Sequence, residues 1–371
     1  MKLFDQDELV ELILKILSIR GESRNERKIA DFVISYCQNL GLEVQEDGTA
    51  QHTGGNAGNI LCQAPQNFSS KNFYLLNCHL DTVVPTHKAI IIKNEERIFS
   101  GNEYPLGLDN RAGVAILLTL LKIISRHKVK HHNFYVAFTV CEDSGLEGSP
   151  HLKIPDEVQI GFTFDASKRP GTFIASGSGC YYFSVEVTGK AAHAGVSPEK
   201  GINAIEIASH AIAKIEQGWI NDQTTVNIGT INGGKATNII SEKVIIRGEI
   251  RSQTKSEIFT HLENIEQIFK QEANIRGGNI KFDKQLAFAP YQHNSDLQAY
   301  QILESAIKNA GLIPNPIHYT GGSDANVFNE KGLPTINLGI GAQNPHSSEE
   351  FILIEDLVKS AEIALEIVKS D

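Results

Sequence analysis

Two hydrophobic periods alternate along the first half of the chain. Leu9, Leu12, Ile13 and Ile16 fall on one helical face, and similar spacing predicts helices over residues 7–18, 24–39 and 112–127. Between them lie strand-like apolar runs, at 73–78, 134–140 and 161–164. Helix and strand in this alternation predict an α/β fold with a mixed, mainly parallel sheet flanked by helices. Each run is followed, at once or after one residue, by a polar and reactive side chain: His79, Glu142 and Asp165. In such sheets the working loops leave the carboxyl ends of the strands.

The pattern changes near the hinge-like Gly177-Ser178-Gly179. An alternating strand is expected over 181–189, a helix over 201–217, strands over 224–230 and 243–251, a long helix over 255–276 and a strand over 279–286. This order is that of the split βαβ unit, an α+β, ferredoxin-like arrangement. The α/β pattern then resumes with a helix over 297–310, an apolar run at 335–339 and a helix over 354–369. The expected organisation is one domain from residues 1–178 and 292–371, with a lid of residues 179–291 inserted into it. No fixed-period repeat or low-complexity tract interrupts it.

Length and composition narrow the function. At 371 residues the chain exceeds one ordinary core. A net charge of −10 argues against a nucleic-acid surface, and the basic cluster at 126–132 reads as a solvated helix end. The acidic amino terminus lacks the layout of a signal peptide. The longest nearly apolar segment, 112–125, is interrupted by Lys122 and is too short to span a bilayer. Five cysteines, scattered and without Cys-x-x-Cys spacing, suggest a reducing, cytoplasmic setting and no thiolate zinc site. The glycine-rich pieces at 54–58 and 177–179 lack the spacing of nucleotide-binding loops.

The chemistry concentrates at strand ends. His79 and Asp81, two apart, emerge on the same side of a strand where it meets its loop. Asp109 sits in a Gly-rich turn before a helix, and Asp143, Asp165 and His346 complete a set of five candidate ligands with His79 and Asp109. Taken singly, each has a plainer reading: a core histidine for His79, a helix cap for Asp109, turn residues for Asp143 and Asp165, a surface histidine for His346. Taken with His-x-Asp and the acidic pair Glu142-Asp143, they point to a hydrolytic metal centre.

These residues carry a resemblance. His79-Leu-Asp81-Thr, Gly107-Leu-Asp109-Asn, Glu142-Asp143-Ser-Gly145, Ala192-His193-Ala-Gly195, Gly233-Gly234 with Asn238, Gly321-Gly322-Ser-Asp324 and Asn344-Pro-His346-Ser-Ser-Glu-Glu follow one another in order. The whole chain thereby resembles the dinuclear zinc exopeptidases of the peptidase T, aminoacylase and glutamate-carboxypeptidase superfamily, and most closely the peptidase T-like tripeptidases. The resemblance implies two Zn²⁺ per chain, with Co²⁺ or Mn²⁺ as substitutes. It implies that Asp109 bridges them, with His79 and Asp165 completing one site and Asp143 and His346 the other. Asp81 would orient His79, and Glu142 would be the general base that takes a proton from the bridging hydroxide's parent water. Two Zn²⁺ would be balanced by three carboxylates and one hydroxide, a neutral inner shell.

Two departures stand out. Asp143 occupies a position where the family usually has Glu, shortening the reach to the second metal by one methylene. Cys141 precedes Glu142 where Gly or Asp is expected, and reads as a small buried residue or, alternatively, a metal contact. The resemblance also implies a cis peptide at Asp109-Asn110.

In the lid the resemblance implies substrate contacts from His193, Asn238 and Arg251, and a homodimer formed through the lid as an available assembly. An exposed salt bridge is the competing reading for Arg251. Asp324 is a candidate for the substrate amine, with a turn-capping role equally open. The expected substrate is a short peptide cleaved at its amino-terminal bond. The alternatives are an amidohydrolase or carboxypeptidase acting on N-acyl amino acids or dipeptides, and a weakly active metal-binding homologue.

Overall fold

The computed structural model describes residues 4–66 and 70–370. The chain separates into two compact units. The first comprises the chain up to Ala175, His293–Tyr319 and the segment from Ser323 onward; the second comprises Ser176–Gln292 with Thr320–Gly322.

The heart of the first unit is a run of four parallel strands in the order Asn133–Thr139, Phe73–His79, Ile160–Ala166, Thr335–Gly339. Short antiparallel strands flank it: Ile60–Gln63 and Val44–Glu46 on one side, Thr172–Gly177 on the other. Strand Phe73–His79 is buried along nearly its whole length because both faces of the sheet are covered. Tyr74, Leu76 and Cys78 pack under helix Leu108–Arg126 and its neighbours, while Leu75 and Ala137 join Phe328 and Leu333 on the opposite face. Helix Leu108–Arg126 packs against Gln6–Leu17 and Ile354–Val368 and lies almost wholly inside the core. Parallel strands all end at one edge, so the loops after His79, Thr139 and Ala166 are brought together there.

The second unit is an antiparallel sheet in the order Gly218–Asn221, Thr224–Gly233, Lys243–Ser252, Gly179–Thr188, Asn279–Phe288. Helices Ala204–Ile212 and Lys255–Arg276 cover one face, where Phe183, Val185, Val187, Val244, Ile246 and Ile250 form the core. The other face carries Tyr182, Arg247, Glu249 and Arg251, as the period of two requires. Four of the strands have the ferredoxin-like order, with Gly218–Asn221 added at the edge.

Several expected boundaries shift for local reasons. The helix expected from residue 24 starts at Arg27, because Arg24 takes a left-handed conformation with φ of 69°. The helix expected over 201–217 spans Ala204–Ile212: Ile202 pairs with Lys190 through two backbone hydrogen bonds, and Asn203 caps the helix with its side chain. Gly177-Ser178-Gly179, read as a hinge, joins strand Thr172–Gly177 to strand Gly179–Thr188 with a single residue between them. The short strands at Val44–Glu46, Ile60–Gln63 and Gly218–Asn221 and the helix Asp324–Glu330 carry too few residues to establish a period.

Candidate metal centre

His79 is the last residue of its strand and is 1% exposed. Its Nδ1 lies 3.1 Å from the backbone carbonyl of Asp81. A carbonyl only accepts, so Nδ1 carries a proton and Nε2 is the nitrogen turned to the carboxylates, the one a metal ion would take. Nε2 lies 3.1 Å from Asp165 Oδ1, 3.3 Å from Asp109 Oδ1 and 3.8 Å from Glu142 Oε2. Asp165 projects from the end of strand Ile160–Ala166 and is held at 2.8 Å by the amide of Asn110, which also donates to the Phe164 carbonyl. Asn110 in turn accepts from the backbone N–H of Gly113, where a Cβ would stand 2.2 Å from the Asn110 oxygen. Glycine is therefore required for this turn. The Asp109-Asn110 peptide is cis.

The other oxygen of Asp109 faces the second histidine. His346 Nε2 is 3.6 Å from Asp109 Oδ2 and 3.3 Å from Asp143 Oδ1. His346 belongs to an exposed loop and takes a left-handed backbone conformation, φ 61°, which few non-glycine residues adopt. One carboxylate thus stands between two imidazoles. Ligand-capable atoms of His79, Asp109 and Asp165 lie within 4.8 Å of one another, and so do those of His79, Asp81 and Asp143. Asp109 Oδ1 and Asp143 Oδ2 are buried with no hydrogen-bond partner. Unpartnered buried carboxylate oxygens beside imidazole nitrogens are a donor set suited to a borderline cation such as Zn²⁺.

The residues behind this group fix its backbone. Asp81 accepts from the N–H groups of Glu142 at 3.0 Å and Asp143 at 3.1 Å and from the Ser23 hydroxyl at 2.7 Å. It therefore holds the acidic pair as well as sitting beside His79. Glu350, fully buried, accepts from the N–H groups of Gly107 at 2.7 Å and Asp109 at 3.1 Å and fixes the loop that carries Asp109. Glu26, also fully buried, accepts from the N–H of Cys141 at 3.0 Å. Sequence reading did not single out Glu26, Ser23 or a holding role for Glu350, because their partners lie far away along the chain.

Electrostatics bear the mark of crowded carboxylates. Burial pushes the carboxyl of Glu142 well above its ordinary value, with Asp165 adding to the rise and His79 opposing it. Burial raises Asp165 to about 6, with His79 pulling it back and Asp109 adding to the rise. Burial acts downward on His79, but Asp165, Glu142 and Asp109 outweigh it and leave its pKa well raised. For Asp81 burial acts upward, yet His79, Ser23 and the Glu142 amide hold it below the usual carboxylate range. His346 is raised, chiefly by its contact with Asp143.

The remaining expected residues are placed as follows. Cys141 is buried, left-handed with φ 54°, and directs its thiol to Glu26 at 3.2 Å; burial, with Glu26, pushes that thiol up to about 12. Asp324, at the start of helix Asp324–Glu330, is 1% exposed and accepts at Oδ2 from the Thr139 hydroxyl and the Asn77 amide. In the second unit, His193 and Asn238 are exposed and lie on adjacent loops, joined by the bond from the Ala194 N–H to the Asn238 carbonyl. Arg251 is paired with Glu249 through Nε at 2.9 Å and Nη2 at 3.2 Å, donates to the Thr320 carbonyl, and lies over the Phe288 ring.

The chain is similar to known proteins along nearly its whole length. A family profile described as a peptidase dimerisation domain matches residues 178–276, and one described as M42 glutamyl aminopeptidase matches residues 78–172. The uncharacterised protein YqjE of Bacillus subtilis is 31% identical over 367 residues, 98% of either chain. The solved structure of aminopeptidase PepT from Bacillus cereus superposes with a TM-score of 0.91 at 30% identity, covering 99% of this chain and 98% of that one. A tripeptidase from Staphylococcus aureus superposes with a TM-score of 0.93 at 32% identity and the same coverage.

Proposed function

Since the chain belongs to the peptidase T-like members of the M20 metallopeptidases, we propose that it is a dinuclear zinc aminopeptidase that removes the amino-terminal residue from tripeptides and similarly short peptides. The observation that supports this most is Asp109, whose two oxygens turn to two histidines 267 positions apart. His79, Asp109 and Asp165 would hold one ion, and Asp109, Asp143 and His346 the other. Bound there, the ions supply Lewis acidity, which makes hydroxide available near neutral pH and polarises the scissile carbonyl.

The chain's own groups do the rest. Glu142 is the general base: burial raises the proton affinity of its carboxyl, which suits it to take a proton from the attacking water and pass it to the leaving amine. Asp81 holds the His79 ring in the tautomer whose Nε2 is free, and ties down the amides of Glu142 and Asp143. From the second unit, His193 would donate to the oxyanion, Asn238 would bind the substrate backbone, and Arg251 would take the terminal carboxylate bidentately. The match to a peptidase dimerisation domain supports assembly of two copies through this unit. Five free, buried cysteines support action in the cytoplasm; no helix among the described residues is long and apolar enough to cross a membrane.

The zinc-loaded protein should cleave a tripeptide rapidly and its amino-acetylated form and a dipeptide slowly. Rapid cleavage of the acetylated form alone would replace this reading with the amidohydrolase one. Glu142→Gln should lower kcat by about 10²–10⁴-fold with two ions per chain retained. Equal slowness of wild type and variant would favour a metal-binding homologue with little activity.

A further inference from the structure

Glu26 immediately precedes helix Arg27–Asn39, where a carboxylate would ordinarily serve the helix's own amino end. It makes no such side-chain bond. Its Oε1 instead accepts from the N–H of Arg24 at 3.0 Å, from the N–H of Cys141 at 3.0 Å and from the Cys141 thiol at 3.2 Å. It is 0% exposed. A carboxylate taken wholly out of water is costly unless its bonds are needed. Here they reach 115 residues along the chain, to the residue beside the general base.

Cys141 is where the backbone leaves strand Asn133–Thr139 and turns through the left-handed region. The three amides that follow the turn point successively at buried carboxylates: Cys141 at Glu26, Glu142 at Asp81 Oδ1 and Asp143 at Asp81 Oδ2. This is an anion-binding concavity of successive N–H groups, filled by two side chains of the protein itself. Asp81 secures the second and third amides, and only Glu26 secures the first. Glu26 holds the peptide plane between Val140 and Cys141, and Asp81 holds the next one, between Cys141 and Glu142. The left-handed turn at Cys141 is thus clamped on both sides, and it sets the direction in which Glu142 leaves the backbone.

We propose that Glu26 is a positioning residue for the general base: by bonding the amide and thiol of Cys141 it sets the backbone from which Glu142 projects. The inference rests on the reading of Glu142 as the base. It assigns Glu26 no contact with substrate or metal ion, so its loss should fall on kcat and leave KM and metal content in place.

The test compares zinc-loaded wild type with Glu26→Ala, Glu26→Gln, Glu26→Asp and Glu142→Gln, measuring tripeptide kcat and KM, ions per chain and melting temperature. Glu26→Ala should lose about 100-fold in kcat with KM within about threefold, the effect of misplacing a catalytic group by about an ångström. Glu26→Gln keeps an oxygen for both amides and should restore kcat to within about fivefold of wild type. Should the alanine variant not fold, Glu26→Asp keeps the buried charge with one methylene less reach, and should lose about tenfold in kcat at full metal content. Wild-type kcat in Glu26→Ala or Glu26→Asp would overturn the proposal, as would equal losses in the alanine and glutamine variants or a fall in metal content parallel to kcat. Full activity in Glu142→Gln would instead overturn the base assignment itself. An inactive Glu142→Gln beside a fully active Glu26→Ala would sink the positioning role alone.

Discussion

The two sides of Asp109 are built differently. On one side, His79 is 1% exposed at the end of a central strand, with its ring oriented by Asp81 and its neighbour Asp165 held by Asn110. On the other, the His346 side chain is 45% exposed on a loop and meets the short carboxylate of Asp143. The first side is preorganised by the sheet and by fixed hydrogen bonds; on the second, Asp143 is tied at its amide to Asp81, but His346 is carried by an exposed loop. A site whose donors are already oriented binds its ion without ordering them, so the His79 side is expected to be the tighter and slower-exchanging of the two.

The largest effect should come from removing a donor on the tight side. His79→Ala should abolish tripeptide hydrolysis, by about 10⁴-fold or more, and reduce metal content toward one ion or none. His346→Ala should also be inactive but retain one ion per chain. Elemental analysis of both variants measures the difference, and equal metal loss in the two would break the comparison.

Next in size is an effect of pH on the chelated protein. Glu350 lies buried beneath the Asp109 loop, and burial raises its carboxyl from an ordinary 4.5 to about 7; the Asp109 backbone N–H opposes the rise and the Asp109 carboxylate adds to it. Between pH 4.5 and 7 the folded protein keeps a proton that the unfolded chain has already released. Stability therefore falls as pH rises through this window, by up to about 3 kcal/mol from this group. Asp165, raised to about 6, acts in the same direction. Denaturant titration of the metal-free protein at pH 5 and pH 7.5 should show the decline, and Glu350→Gln should remove its share. A metal-free protein equally stable at both values would refute the account.

Smaller still, Asn110→Ala should weaken metal affinity about 10–100-fold on the His79 side only, since Asn110 touches Asp165 and not Asp143. The smallest change is Asp143→Glu, which restores the missing methylene. Graded chelation should then release the weaker ion about threefold later than in wild type. An earlier release would mean that the shorter carboxylate already fits.

What could be read from the sequence follows from distance along the chain. His79, Asp109, Glu142-Asp143, Asp165 and His346 stand out because each lies in a short local motif at the edge of an apolar run. The strands 73–79 and 335–339 stand out because burial on both faces makes them mostly apolar without a period of two. Glu26 and Glu350 leave no such trace. Apart from the Arg24 amide beside Glu26, the amides they hold lie 115 and 241 or more positions away, and a backbone amide has no residue type to recognise. The strand Gly218–Asn221 was equally hidden: exposed at the sheet edge, it shows no alternation of buried and polar residues. For Arg251 an exposed salt bridge is the competing expectation, without a named partner; the structure supplies a half-buried one, Glu249, since residues two apart on a strand share a face.

The position of the last proposed ligand sets a clock on the enzyme's birth. His79 is synthesised 267 positions before His346, and strand Thr335–Gly339, a member of the central sheet, comes only a few residues before the second histidine. At about 5–20 residues per second, roughly 13–50 s of translation separate the first donor from the last. A growing chain can collect the side chains of the buried half of the centre early, but cannot close the sheet or the second half until its final helix is about to be made. An enzyme that digests peptides is thus kept from doing so while it is itself an unfinished polypeptide.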